Sequence, residues 1–212
     1  MDNAEKILYE ERRKANEEAL KIERERIRAL NTDNAIYFNF SYTALKLLGK
    51  NLYNNPLSAI AELVANGIDA KAKNIYVYID MSDKAHSRIE IIDDGSGMNY
   101  DDLAEKYVWI GRNKREDENL NAADKQSLMG RKGIGKLAAL YLSNRYYIFS
   151  KKNNNETKWL LNVIAYKDSD FPKLDKVVSS PKMETQAVWE QTEQGTAIVL
   201  ENVDLRRTGS KR

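Results

Sequence analysis

The chain has 212 residues, 42% of them apolar, with no cysteine, one histidine, and 34 basic against 32 acidic side chains for a net charge of +2. This suits one sizeable core and excludes disulfides, thiolate chemistry, cysteine-ligated metal centres and, with His86 alone, a multi-histidine metal site or a Ser-His-Asp triad. There is no global field for nucleic acid and no run near the roughly 18 apolar residues of a membrane span, so the expectation is a cytoplasmic protein without a membrane partner.

Residues 1–31 carry eight acids and eight bases without Pro or Gly, which predicts a charged, solvated helix. Leu8, Ala15, Ile22 and Ala29 recur every seven residues on it, a thin seam that reads either as a projecting helix or as a weak dimer contact. From Ile36 "IYFNF" alternates as a strand does, and "YTALKLLGKNLY" turns helical. Asn54 and Asn55 before Pro56 open the next helix, "PLSAIAELVANGIDAKA". "NIYVYID" and "RIEIIDD" read as an antiparallel hairpin, and its polar loop at 81–87 holds His86 as a solvated side chain. Residues 100–110 read as helix, and 111–129 are polar and irregular, a length of loop that marks function or disorder. "KLAALYLS" reads as a buried helix, "RYYIFS" and "TKWLLNVIAY" as strands, and "TAIVLENV" as a last strand after Gly195. This order predicts an α+β two-layer sandwich and not a doubly wound parallel sheet. The expected organisation is a charged arm over 1–32, one domain over 33–205, and a tail, 206–212, cut from a longer chain.

"GRKGIGKL", residues 130–137, comes close to two phosphate-binding signatures and meets neither. Gly130, Gly135 and Lys136 fit a P-loop, but Leu137 stands where the pattern needs a hydroxyl for Mg²⁺. Gly133, Gly135 and Ala138 fit a dinucleotide fingerprint, but the polar "NAADKQSLM" before them is no buried strand. Elsewhere, Glu62, Asn66 and Asp69 are spaced four and three apart on one helix face, where a carboxylate can accept a proton and a carboxamide oxygen can hold a hard cation. Asp93 and Asp94 end a strand and are followed by Gly95 and Gly97, which lets a flat heterocycle approach the backbone while a carboxylate accepts from an amine. Taken singly, the first trio is also what the wet face of an amphipathic helix offers, and the second is also a plain Asp-Gly turn.

Together, E-x-x-x-N-x-x-D-A, D-x-G-x-G-M and G-x-x-G-x-G, in this order, resemble the motifs of the GHKL ATPases. That family includes gyrase, the mismatch-repair protein MutL, the ninety-kilodalton heat-shock chaperone, Microrchidia proteins and sensor histidine kinases. The likeness spans about residues 40–203. It implies a Bergerat-type sandwich with a mixed, mostly antiparallel sheet covered on one face by helices. It also implies Mg²⁺-dependent binding and slow hydrolysis of ATP, in a domain that works as a nucleotide-gated switch or clamp. By this resemblance Glu62 is the general base and Asn66 the Mg²⁺ ligand. Asp93 reads the adenine amino group, Thr196 joins its water network, and Asp69, Gly95, Gly97 and Met98 fall among the nucleotide-binding positions. "GRKGIGKL" is then similar to the family's lid motif, with Gly130, Gly133, Ile134, Gly135 and Lys136 around the phosphates. Arg112, Lys114 and Arg131 are the candidate cations of that lid.

Two features depart from the family pattern. Gly67 stands where a small side chain is usual and raises a question of helix rigidity, and no downstream switch lysine is assignable. The partners implied are ATP, a second copy of the chain in a nucleotide-dependent homodimer, and a nucleic acid or client protein through regions outside this chain. The alternatives are a non-catalytic ATP-binding scaffold and a histidine-kinase catalytic domain. Glu62 and the Asp69-Ala70 pair, where kinases carry N-A-x-K-F, weigh against the second.

Overall fold

The computed structural model describes residues 21–22, 25–40, 53, 55–83, 86–110, 135–162, 173–177, 181–203 and 205, without the side chains of Asn39, Phe40, Ile110 and Lys136. The expected helix at 42–53, apart from Tyr53, the loop at 111–129, the lid glycines up to Ile134 and the tail lie outside these residues. Of the charged N-terminal helix, residues 21–22 and 25–30 are described and are helical; Ile27 is buried, whereas Ile22 and Ala29 of the heptad seam are exposed.

The chain runs through β1 (Ala35–Tyr37), β2 (Asn39–Phe40), α1 (Pro56–Asp69), β3 (Ile75–Asp80), β4 (Arg88–Asp93), α2 (Tyr100–Asp102) with a π turn at Leu103–Tyr107, and β5 (Trp109–Ile110). A 3₁₀ turn (Gly135–Leu137) leads into α3 (Ala138–Leu142), followed by β6 (Arg145–Lys152), β7 (Asn155–Asn162), β8 (Lys173–Lys176), α4 (Gln186–Gln191) and β9 (Gly195–Glu201). Seven strands form one sheet in the order β1-β8-β7-β6-β9-β4-β3, and every neighbouring pair in it is antiparallel. A separate short pair, β2 with β5, is parallel.

Local chemistry explains these elements. Asn55 caps α1 by accepting the Ser58 N–H at 2.9 Å, and Pro56 occupies the first turn, where a missing N–H costs nothing. The apolar pattern suggests a helix continuing to Ala72, but α1 stops at Asp69. Lys71 adopts φ +62°, with the Lys71 and Ala72 N–H groups returning to the Ile68 and Gly67 carbonyls, a Schellman ending without glycine. Asn153 and Asn154, at φ +52° and +61°, make the two-residue turn between β6 and β7.

The sheet is covered on one face by α1 and α3. Ala59, Leu63, Ala138, Ala139 and Leu142 pack there on Ile89, Ile91, Tyr146, Ile148, Trp159 and Leu200. This is the expected α+β sandwich. The other face is dressed more lightly, with Met183 and the α4 residue Trp189 over Ile92, Tyr147, Phe149, Ala197 and Val199. Strands β4 and β6 are therefore buried on both faces, which is why "RYYIFS" reads as a nearly unbroken apolar run. Among the described residues, no helix is long and apolar enough to cross a membrane.

Candidate functional site

The buried stripe of α1 is Pro56, Ala59, Leu63 and Gly67, and Glu62, Asn66 and Asp69 lie half-buried along its margin. That margin faces the start of the 3₁₀ turn before α3. A Cβ built on Gly135 would stand 2.9 Å from Glu62 Oε2, 3.4 Å from Asn66 Oδ1 and 3.8 Å from Asn66 Nδ2. The last glycine of "GRKGIG" thus brings bare backbone onto the two side chains suited to a proton acceptor and a hard-cation ligand, and any larger residue would crowd the carboxylate. Asn66 presents its carboxamide oxygen on this side, an oxygen donor of the kind Mg²⁺ takes.

Asp93 lies beside the same helix, against Gly67. It ends β4 opposite Thr196 of β9, and both are buried. Burial pushes its carboxyl up to about 6, against the pull of the Gly95 and Thr196 backbone N–H groups, the former donating to Oδ1 at 2.9 Å. Asp94 differs: its exposed carboxylate accepts from Lys73 N–H at 2.7 Å and from Asn74 N–H and Nδ2 at 2.8 Å each, which lowers its pKa and fixes the turn before β3. Of the two adjacent acids, one tethers a loop and the other is held in a buried site beside α1.

The helix comes this close because of Gly67. A Cβ there would lie 2.9 Å from Ile75 Cδ1 and 3.1 Å from Asp93 Cβ, so the mid-helix glycine that raised a question of rigidity is the point where α1 seats against β3 and β4. Asn66 and Gly67 are consecutive, and Glu62 and Gly67 differ by about 7.5 Å of helix rise. Glu62, Asn66 and the buried carboxylate of Asp93 therefore lie along the same stretch of α1. Asp69 occupies the last turn of α1, just before Ala70, whose carbonyl accepts Ser96 N–H at 2.9 Å.

Gly97, at φ +58°, passes so close to β6 that a Cβ would be 2.1 Å from the Lys151 carbonyl oxygen. Met98 follows, partly buried against the main core, with its N–H donated to Ser150 Oγ at 2.7 Å. The structure thus brings Glu62, Asn66, Asp93, Gly95, Gly97, Met98, Gly135 and Thr196 to one region. Arg112, Lys114, Gly130, Arg131, Gly133 and Ile134 lie outside the described residues, and of Lys136 only the backbone, in the 3₁₀ turn, is described. His86 is an exposed side chain paired with Asp83 in the hairpin loop, as expected.

Two site neighbours carry no motif signal. Tyr53 stacks edge-on to Tyr141 with ring centroids 5.4 Å apart, and burial, with the charge of Glu62, holds its phenol above the ordinary range. Ser150 follows the apolar run of β6 as a small polar residue, and its partners on Met98 and Gly195 become visible only after folding.

An antiparallel sheet with two helices on one face, and a buried carboxylate at a strand end against the long helix, define an α+β sandwich whose motif residues gather along α1. A family model, that of the histidine kinase-, DNA gyrase B-, and HSP90-like ATPases, matches residues 53–196, and the chain belongs to this family of ATP-binding domains. It is similar to a protein of Herpetosiphon aurantiacus provisionally named type II restriction enzyme HgiDII, 36% identical over 122 residues, 58% of this chain and 19% of that protein. The chaperone protein HtpG of Gluconobacter oxydans is 32% identical over 134 residues, covering 54% of this chain and 22% of the chaperone. A DNA mismatch repair protein MutL, from Clostridium beijerinckii, is 39% identical over 83 residues, covering 39% and 11%. The chain thus spans about a fifth or less of the length of these relatives.

Proposed function

We propose that this domain binds ATP with Mg²⁺ along α1, hydrolyses it slowly, and acts as a nucleotide-gated switch or clamp that closes as a homodimer. The observation that carries the reading is the approach of Gly135 to Glu62 and Asn66, which unites the glycine-rich segment with a proton acceptor and an oxygen ligand. In this reading Glu62 accepts the proton of the water that attacks the γ-phosphate, and the Gly135 backbone lies near the phosphate oxygens. Asn66 Oδ1 would hold Mg²⁺, which when bound neutralises charge on those oxygens. Asp93, ionised, accepts from the adenine amino group, with Thr196 beside it and Gly97 and Met98 forming the adjoining wall. The roles of Asp69, Arg112, Lys114, Gly130, Arg131, Gly133, Ile134 and Lys136 rest on the family resemblance alone.

The relatives' names span restriction, chaperoning and mismatch repair, so the shared domain does not by itself choose between a nucleic acid and a client protein as target. The test of hydrolysis separates the two α1 residues. Glu62→Ala is expected to keep ATP affinity within a few-fold and to lower turnover by roughly 10²-fold or more, the effect of losing a general base. Asn66→Ala is expected to lose Mg²⁺-dependent binding itself. If Glu62→Ala hydrolyses ATP as fast as the parent at every protein concentration, the base assignment falls; if the parent binds ATP without turning it over at any concentration, a non-catalytic ATP-binding scaffold replaces the ATPase reading.

A further inference from the structure

Ser150 lies on β6, one strand beyond Thr196 as seen from Asp93. The registers Asp93 with Thr196 and Thr196 with Ser150 set the three residues in one row across β4, β9 and β6. Directly opposed residues of antiparallel strands share a face, so the row forms a polar patch on the helix side of the sheet. Ser150 is fully buried, and its single hydroxyl does two things. Oγ accepts the Met98 N–H at 2.7 Å and donates to the Gly195 carbonyl at 3.2 Å. It thereby joins the end of the Asp93–Met98 turn to the start of β9.

Neighbouring contacts make this junction stiff. The Lys151 carbonyl abuts Gly97, while Lys151 Nζ donates to the carbonyls of Trp189 at 2.6 Å and Thr192 at 2.8 Å, tying β6 to the end of α4. Gln194 Nε2 approaches the Gly95 carbonyl at 3.4 Å. The turn that carries Gly95, Gly97 and Met98 is therefore held by β6 and by the segment entering β9, and Ser150 bonds both to the turn and to the Gly195 carbonyl.

We propose that Ser150 is a positioning residue for the base pocket: by pinning the Met98 amide to the Gly195 carbonyl it fixes the pocket wall relative to Asp93 and Thr196, and so sets selectivity for adenine. The inference rests on the ATP-binding reading given above. The chemistry requires a small group that accepts and donates at once. Alanine would leave a buried N–H and a buried carbonyl without their partner, threonine would keep the hydroxyl, and cysteine would fill similar space with much weaker hydrogen bonds. A wall released by fractions of an ångström misaligns the carboxylate and the exocyclic amine, whose attraction falls steeply with angle and distance. Phosphate binding, at the Glu62 and Gly135 end of the site, stays as it was.

The test uses the whole 212-residue chain and the non-hydrolysable imido analogues of ATP and GTP with Mg²⁺, with affinities from calorimetry and folding checked by thermal melting. Ser150→Ala is expected to bind the adenine analogue roughly tenfold or more weakly while affinity for the guanine analogue changes by less than about threefold. Ser150→Thr is expected to restore the parent's preference. If Ser150→Ala does not fold, Ser150→Cys carries the comparison. A folded Ala or Cys variant that keeps the parent's preference for adenine overturns the positioning role and leaves the ATP site standing. Equal losses for both analogues also overturn it, because a general loss of structure has no base selectivity. A parent chain that binds both analogues equally removes the base-site reading, and this inference with it.

Discussion

Asp93 is the residue whose environment makes the sharpest demand. Burial raises its folded-state pKa to about 6, so between the unfolded carboxyl value and about 6 the folded chain binds more protons than the unfolded one. Stability therefore falls as pH rises from about 4 to about 6, by an amount on the order of 3 kcal/mol for a two-unit shift. If Asp93 reads the base as proposed, ATP affinity runs the other way, since the adenine amine needs an ionised acceptor. At pH 5.5 only about a quarter of Asp93 is ionised, and binding is expected to be roughly fourfold weaker than at pH 7.5. Urea unfolding and calorimetry over this range check both slopes, and Asp93→Asn should flatten the stability slope. If affinity is flat with pH while stability falls, Asp93 is buried but does not read the base. At this scale the sequence was legible where spacing and chemistry coincide: Glu62 with Asn66, and Asp93 before two glycines. Ser150 and Glu90 were not, because a polar residue within or at the end of an apolar run in a strand gains meaning only from partners distant in sequence.

Elements were legible in proportion to how locally they are determined. Helix α1 carries its own cap and proline, and the β3–β4 and β6–β7 hairpins carry their own alternation and turn residues. The segment at 100–110 reads as helix but forms one α turn, a π turn and then β5. Asp102, which burial alone would push up, is brought down to about 2 by hydrogen bonds from Lys106, Lys152 and the Asn99 N–H, so this turn is pinned from β6 as well as from within. Helix α4 escaped notice because "TQAVWEQTEQ" has too few apolar positions for a periodicity. It is secured by tertiary contacts. Glu90, fully buried on β4, accepts from the Glu184 N–H at 3.1 Å, the Thr185 N–H at 2.9 Å, Thr185 Oγ1 at 2.6 Å and Arg88 at 3.1 Å. Removing that carboxylate strands four donors, one of them a guanidinium that also pairs with Glu201. Glu90→Ala is therefore expected to cost about 3–5 kcal/mol in urea unfolding, with α4 the first segment to lose exchange protection. Glu90→Gln, which keeps an acceptor oxygen, should cost clearly less. Equal, small losses for both would mean that α4 is held by Trp189 packing and not by Glu90.

For the whole molecule the layer order was readable, because a hairpin, a long helix and a late run of strands leave few ways to bury one sheet under two helices. Its association is the remaining question, and the described part of the N-terminal helix bears on it. Ile27 is buried against the fold, while Ile22 is 59% exposed and Ala29 is exposed as well, so the two described positions of the heptad seam are open to solvent. If this seam pairs with a second copy, so thin a contact is too weak to persist at low concentration, and mass action would then link closure to the amount of protein present. If ATP hydrolysis needs the closed homodimer, turnover per chain should rise with protein concentration and level off once the dimer is filled. The non-hydrolysable ATP analogue should shift sedimentation toward a dimer, while ADP should do so less. Ile22→Glu, an exposed position remote from α1 and β4 in sequence, should move the concentration midpoint upward and leave the plateau rate unchanged, because the chemistry on Glu62 is untouched. Turnover per chain that is constant over the whole concentration range, with a monomer in sedimentation even under saturating analogue, would make hydrolysis the work of a single chain and assign the seam to solvent.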